Sequence, residues 1–117
     1  MSDNDQSTIS FTIYGEPASK SNGRRWTGKF LIKSKKALDY GTEFKKQCPV
    51  LPTLMEGDLR VTIKIYYASR RPDLDPSLIF DLMQDCIYSN DRQVREQHLY
   101  WGLDKERPRS EITVEKM

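Results

Sequence analysis

The chain has little of what many metal and redox sites are built from. It carries two cysteines, Cys48 and Cys86, and a single histidine, His98. A structural zinc site takes four such ligands, with close pairs in the sequence, so a site of that kind is excluded. In a chain expected in the cytoplasm, the two cysteines read as buried thiols rather than a disulfide, because an unpaired Cys behaves as a small hydrophobe. Long apolar runs are also missing. None approaches the roughly 20 residues that span a bilayer. The opening MSDNDQSTIS is polar and partly acidic, unlike a signal peptide. Residues 1–7 are expected to be a frayed lead-in to one domain covering 1–117. There is no internal repeat and no low-complexity tract.

What is there is charge, unevenly spread. Residues 18–47 hold nine basic residues (Lys20, Arg24, Arg25, Lys29, Lys33, Lys35, Lys36, Lys45 and Lys46) against two acids, Asp39 and Glu43. The remaining residues are net acidic, and residues 73–91 contain five Asp and no basic residue. A cationic arm beside an acidic cluster suits a polyanion held on one surface and cations held in another. A solvated basic helix face with ordinary surface acids accounts for the charges equally well.

Periodicity gives the elements. Ile9, Phe11 and Ile13 alternate within TISFTIYG, which predicts a half-buried strand. EPASKSNGRRWTG predicts a flexible basic loop, with Gly23 and Gly28 permitting positive φ. FLIK at 30–33 predicts a short strand closing that loop. Ser34 is placed to cap a helix over about 35–47, with Ala37, Tyr40, Phe44 and Cys48 on one side and Pro49 and Pro52 ending it. DLRVTIKIYYA at 58–68 alternates cleanly, with Leu59, Val61, Ile63, Ile65 and Tyr67 on one face. After the turn-rich SRRPDLDP, Asp75 and Pro76 form a helix start for SLIFDLMQDCIY. EQHLYWGL and SEITVEK predict two further strands, paired with each other across DKERPR. The order predicts an α+β domain with a small mixed or antiparallel sheet and two main helices packed on it.

Asp73 and Asp75 stand two apart between Pro72 and Pro76. In extended backbone, residues i and i+2 point to one side, and paired carboxylates are hard oxygen ligands that suit Mg²⁺ or Mn²⁺. Asp91 sits in the turn after the second helix; it returns to the start of that helix only if the helix is short and the turn folds over. By itself the pattern is more often a turn residue followed by a helix cap, with Asp91 a turn residue too. Asp81 and Asp85, four apart, read as the polar face of the helix. A cation at such a site would polarise a phosphoryl oxygen and lower the pKa of a bound water. Arg70 and Arg71 beside Asp73, and Arg92 beside Asp91, are placed to contact backbone phosphates, which supplies affinity without sequence reading. Singly, each reads as simply as a surface charge. Among the aromatics Tyr14, Trp26, Tyr66, Tyr67, Tyr88, Tyr100 and Trp101, most are expected in the core or an interface. Trp26, inside the basic loop, is the one placed to meet DNA.

In order and interval, the chain resembles the RusA-type Holliday-junction resolvases of bacteria, phages and prophages. The resemblance rests on FTIYGEPASK at 11–20, the basic loop behind it, the D-x-D of Asp73 and Asp75 after a strand and two arginines, and N-D-R-Q-V at 90–94, similar to the family's D-D-x-Q-[IV]. It spans about residues 10–116. It implies a Mg²⁺-dependent endodeoxyribonuclease (with Mn²⁺ as a substitute) acting in DNA recombination and repair. It further implies a homodimer that places paired nicks across a four-way junction, with no organic cofactor and no membrane. It implies that Asp73, Asp75 and Asp91 are the catalytic metal ligands, and that Lys20, Arg24, Arg25, Lys29, Arg70, Arg71 and Arg92 bind DNA. Three departures stand out. Better-known members read D-x-D-N-L-x-K, whereas here Pro76, Ser77, Leu78 and Ile79 follow Asp75 and no lysine is present; the interval to Asp91 is about two residues shorter; and Asn90 replaces the first acid of the D-D pair. Arg92 and Lys20 are the candidates for the lysine's task. The competing reading is a branched-DNA-binding accessory protein that cleaves weakly or not at all; a third is a module binding a protein partner.

Overall fold

The computed structural model describes residues 7–18, 24–27, 30–33 and 35–117, with 24–27 and 30–33 described by their backbone alone. Ser34, Lys20 and Lys29 lie outside the described residues, as do residues 1–6 of the expected frayed lead-in. The elements are β1 (Thr8–Tyr14), β2 (Arg24–Thr27), β3 (Phe30–Lys33), α1 (Lys35–Gln47), β4 (Leu59–Tyr67), α2 (Ser77–Met83), a 3₁₀ turn (Asp91–Gln93), β5 (Val94–Leu103) and β6 (Arg109–Lys116). No helix among the described residues is long and apolar enough to cross a membrane.

β4 organises the domain. Leu59, Val61, Ile63, Ile65 and Tyr67 are all buried, as the alternation predicts. Burying one whole face of a nine-residue strand favours the middle of the sheet. The sheet order is β1-β6-β4-β5, with β6 antiparallel to both β1 and β4, and β5 parallel to β4. It is therefore a mixed sheet, and the fold class is α+β as expected. Rows of side chains cross it on the core face. Ile9, Val114, Val61 and Gln97 form one row; Phe11, Ile112, Ile63 and Leu99 form the next; Ile13, Ser110, Ile65 and Trp101 form a third. Both helices cover this face, α1 through Ala37, Tyr40 and Phe44 and α2 through Leu78, Ile79, Phe80 and Met83.

Three expectations change. First, β5 and β6 do not pair with each other: β4 lies between them. Strands of ten and eight residues could have formed a hairpin, but each gains more by aligning its apolar face beside the fully buried β4. The connection is tightened by Asp104, whose carboxylate accepts the N–H groups of Glu106 and Arg107 at 3.1 Å each and pairs with Arg109 at 2.7 Å. Second, the basic stretch expected as a flexible loop contains β2, which pairs antiparallel with β3 from Arg24↔Lys33 to Thr27↔Phe30. Third, α2 ends at Met83, not near Tyr88. Gln84 turns extended and Asp85 takes φ 68°, which breaks the helical path. The N–H groups of Cys86 and Ile87 then close back on the Met83 carbonyl at 3.1 and 2.8 Å. This turn drives the apolar Ile87 and Tyr88 into the core, both fully buried.

Candidate active site

The D-x-D segment hangs from two aromatic side chains of the sheet. Tyr67, the last residue of β4, donates its hydroxyl hydrogen to the Asp73 carbonyl at 3.1 Å and accepts the Asp75 N–H at 3.3 Å. Trp101, on β5 in the neighbouring row, donates its indole N–H to the Pro72 carbonyl at 3.0 Å. The two rings stack with centroids 6.0 Å apart and planes 28° from parallel. Three of the segment's backbone polar groups are thus satisfied by two stacked aromatic side chains, one buried and one half-buried, which fixes where the carboxylates emerge. Burial pushes the Tyr67 hydroxyl pKa up. The Asp75 N–H it accepts works against that shift, and the negative charges of Asp75, Glu16 and Asp73 add to it. Glu16, which the sequence reading passed over, reaches the same corner, where its carboxylate accepts the Ala68 N–H at 2.9 Å.

Asp75 itself turns into the start of α2. Its Oδ1 accepts the Ser77 N–H at 3.0 Å, satisfying one of the orphan donors of a helix start. The helix begins one residue later than expected, with Pro76 in the cap position. Asp73 is exposed.

Asp91 comes back to this helix start because α2 has only seven residues. Tyr88 anchors the return, its buried hydroxyl donating to the Phe80 carbonyl at 2.9 Å. Burial raises the Tyr88 pKa, and the charges of Asp91 and Asp81 raise it further. The Asp91 N–H donates to Gln84 Oε1 at 2.9 Å. Asn90 caps the 3₁₀ turn, its side chain accepting the Arg92 N–H at 2.8 Å, with Gln93 reciprocating in a capping box. An asparagine in place of the family's first acid therefore serves as a cap.

The result is an open cavity of about 420 Å³ lined by Pro76, Ser77, Phe80, Asp81, Asp91, Gln97 and Leu99. Of the three predicted acids, Asp91 alone is among the lining residues; Asp75 directly precedes the lining Pro76 in the chain, and Asp73 lies further back along the anchored segment. Among the described residues, no group of three or more His, Cys, Asp or Glu stands close enough to hold a metal ion between them. The chemistry of the donors nevertheless fits a hard divalent cation. Mg²⁺ is commonly held by one or two carboxylates, with water and substrate phosphate oxygens completing its shell. Asp81, expected on the polar face of the helix, lines the same cavity; its spacing of four from Ser77 puts both on one helix face.

Of the predicted DNA-binding residues, Arg70, Arg71 and Arg92 are exposed around this corner. Arg24 and Arg25 lie on β2, of which the backbone alone is described, as does Trp26. The two cysteines are unpaired, with Cys48 buried and Cys86 half-buried.

No curated protein matches the chain. The family profile of the endodeoxyribonuclease RusA matches residues 15–115, from the end of β1 into β6. That span takes in the anchored D-x-D, the short α2 and the Asp91 turn, and the chain belongs to the RusA endodeoxyribonuclease family.

Proposed function

We propose that this protein resolves four-way DNA junctions by metal-dependent hydrolysis, as a homodimer that places paired nicks symmetrically across the crossover. One observation supports this reading above the others. The seven-residue α2 and the tight turn behind it return Asp91 to the helix start where Asp75 lies, around a cavity open enough for a backbone phosphate.

Asp91 would hold the metal with one further carboxylate, Asp75 or Asp81, leaving water and substrate phosphate oxygens to complete the shell. A bound Mg²⁺ supplies phosphoryl polarisation and a water of lowered pKa. The rest falls to the chain. Tyr67 and Trp101 hold the D-x-D backbone still, so the carboxylates need little rearrangement as charge develops. Arg70, Arg71 and Arg92 neutralise flanking phosphates, and the basic stretch carrying Lys20, Arg24, Arg25 and Lys29 extends that contact along the strands. With no lysine after Asp75, Arg92, next to Asp91 in sequence, and Lys20 are the candidate cations for charge on the scissile phosphate. Symmetric dimers present two equivalent sites, which suits a substrate needing two coordinated cuts.

The missing lysine also favours a second reading, in which the protein binds branched DNA and cleaves it weakly or not at all. Cleavage of a labelled synthetic four-way junction with Mg²⁺ or Mn²⁺, against linear duplex and EDTA, separates the two. Paired, metal-dependent nicks near the crossover support the resolvase. Tight binding without cutting under either metal supports the accessory protein.

A further inference from the structure

Four residues of the Asn90–Val94 segment have a role above: Asn90 caps the turn, Asp91 carries the carboxylate, Arg92 is offered to phosphate, and Val94 opens β5. Gln93 does far more than complete a cap. Its Oε1 accepts the N–H groups of Asn90 at 3.1 Å and Ser89 at 3.2 Å, and the Ser89 hydroxyl at 3.0 Å. Its Nε2 donates to the carbonyls of Met55 at 2.9 Å and Gly57 at 3.0 Å. Both donors and the acceptor of the amide are engaged.

The two halves of that amide do different things. The acceptor half closes the capping box, which glutamate performs as well as glutamine. The donor half crosses to the segment that leads into β4, 38 and 36 residues away in sequence. That segment is itself fixed, since Met55 is buried and its N–H donates to the Ile87 carbonyl at 2.8 Å. Asp91 is exposed on a three-residue turn and has little packing of its own to hold it. Its backbone is pinned from one side by Gln84 and, through Gln93, from the foot of the central strand on the other.

We infer that Gln93 is the positioning residue of Asp91, a strut whose Nε2 donors set the distance between the acid-bearing turn and the base of β4. Glutamate keeps the cap but lacks the donors, asparagine is a methylene too short, and lysine has no acceptor. The inference rests on the reading of Asp91 as a metal-binding carboxylate. Loss of a partner outside the metal shell typically costs roughly 10–100-fold in metal affinity or activity.

The test compares Gln93→Glu, Gln93→Ala and Asp91→Asn with wild type. Mn²⁺ binding is followed by electron paramagnetic resonance, Mg²⁺ half-saturation by junction cleavage, junction binding in EDTA by gel shift, and folding by thermal melting. Gln93→Glu is expected to fold, to bind junctions in EDTA as wild type does, and to need at least about tenfold more Mn²⁺ and Mg²⁺. Gln93→Ala, which loses the cap as well, is expected to show the same shift with a lower Tm. Wild-type metal affinity in Gln93→Glu would overturn the inference and reduce the residue to a cap. A Gln93→Glu protein that melts below every usable assay temperature would overturn it too, because the amide would then be holding the fold. If Asp91→Asn itself binds Mn²⁺ and cleaves normally, the underlying reading of Asp91 fails, an outcome distinct from either result at Gln93.

Discussion

Tyr67 and Asp75 are joined through the backbone: the Asp75 N–H donates to the tyrosine hydroxyl at 3.3 Å, while that hydroxyl donates to the Asp73 carbonyl at 3.1 Å. One oxygen at the end of the central strand thus fixes both ends of the D-x-D. Tyr67→Phe should keep the stack on Trp101 and lose both hydrogen bonds. Stability is expected to fall by about 1–3 kcal/mol, the cost of leaving partly buried backbone groups unpaired. Junction cleavage should fall while junction binding in EDTA is kept. Urea unfolding beside single-turnover cleavage checks both.

Gly102 predicts a packing effect on the opposite face of the sheet. A Cβ there would meet Tyr66 Cδ1 at 2.8 Å. The Tyr66 ring cannot retreat freely, because the Arg109 guanidinium lies 4.0 Å and the Lys64 ammonium 4.8 Å from its centroid. Gly102→Ala should destabilise the domain by about 1–3 kcal/mol, the usual cost of overpacking. A wild-type denaturation midpoint would mean the ring moves without cost.

Burial, assisted by the neighbouring Cys86, pushes the Cys48 thiol from its ordinary value near 9 up to about 12. The thiolate is the reactive form, so Cys48 in the folded protein should resist iodoacetamide at pH 8 and label once urea unfolds the chain. The sign for stability follows. A thiol whose folded pKa is raised contributes stability that is fully present below about pH 9 and is lost as pH climbs toward 12. Rapid labelling of native Cys48 would contradict the burial argument.

Much of the fold is legible in the sequence, and the exceptions have physical causes. The strict alternation from Leu59 to Tyr67 identifies the buried strand, because the pleat converts a period of two into one apolar face. Helix α1 follows from Ala37, Tyr40 and Phe44 with prolines behind them. The order of β5 and β6 is not legible because sequence neighbours are the default hairpin, whereas sheet order is decided by which strand must be covered on both sides. The end of α2 is hidden because Leu82, Met83, Cys86 and Ile87 keep an apolar rhythm straight through the break; Asp tolerates positive φ better than most residues, but one Asp on a helix's polar face is too common to mark a stop.

The site was half legible. The family could be read from the order and intervals of several motifs, and the three acids came with that resemblance, since their spacing alone fits a turn and a helix cap as well. The residues that hold them in place could not. Tyr67 and Trp101 look like ordinary core aromatics until the sheet register puts them side by side under Pro72. The Asn90-x-x-Gln93 spacing is a capping-box signal that was available; its reach to Met55 and Gly57 depends on tertiary structure.

Arg71 supplies a prediction about DNA. It is exposed beside the D-x-D, where it would contact a phosphate and carry no sequence information. Arg71→Ala should weaken binding to junctions of any sequence alike, and reduce the slope of log affinity against log salt by about 0.9. An unchanged slope would remove Arg71 from the DNA-binding surface.

The central claim is that Asp91, returned to the start of α2, is a catalytic carboxylate of a junction nuclease. Its most direct measurement is single-turnover cleavage of a labelled four-way junction by wild type and Asp91→Asn, in Mg²⁺ and in EDTA. The account predicts paired nicks by wild type in Mg²⁺ alone, and loss of cleavage by at least about 100-fold in the variant with junction binding intact, as expected when a transition-state interaction is removed. Cleavage by Asp91→Asn at the wild-type rate would contradict it.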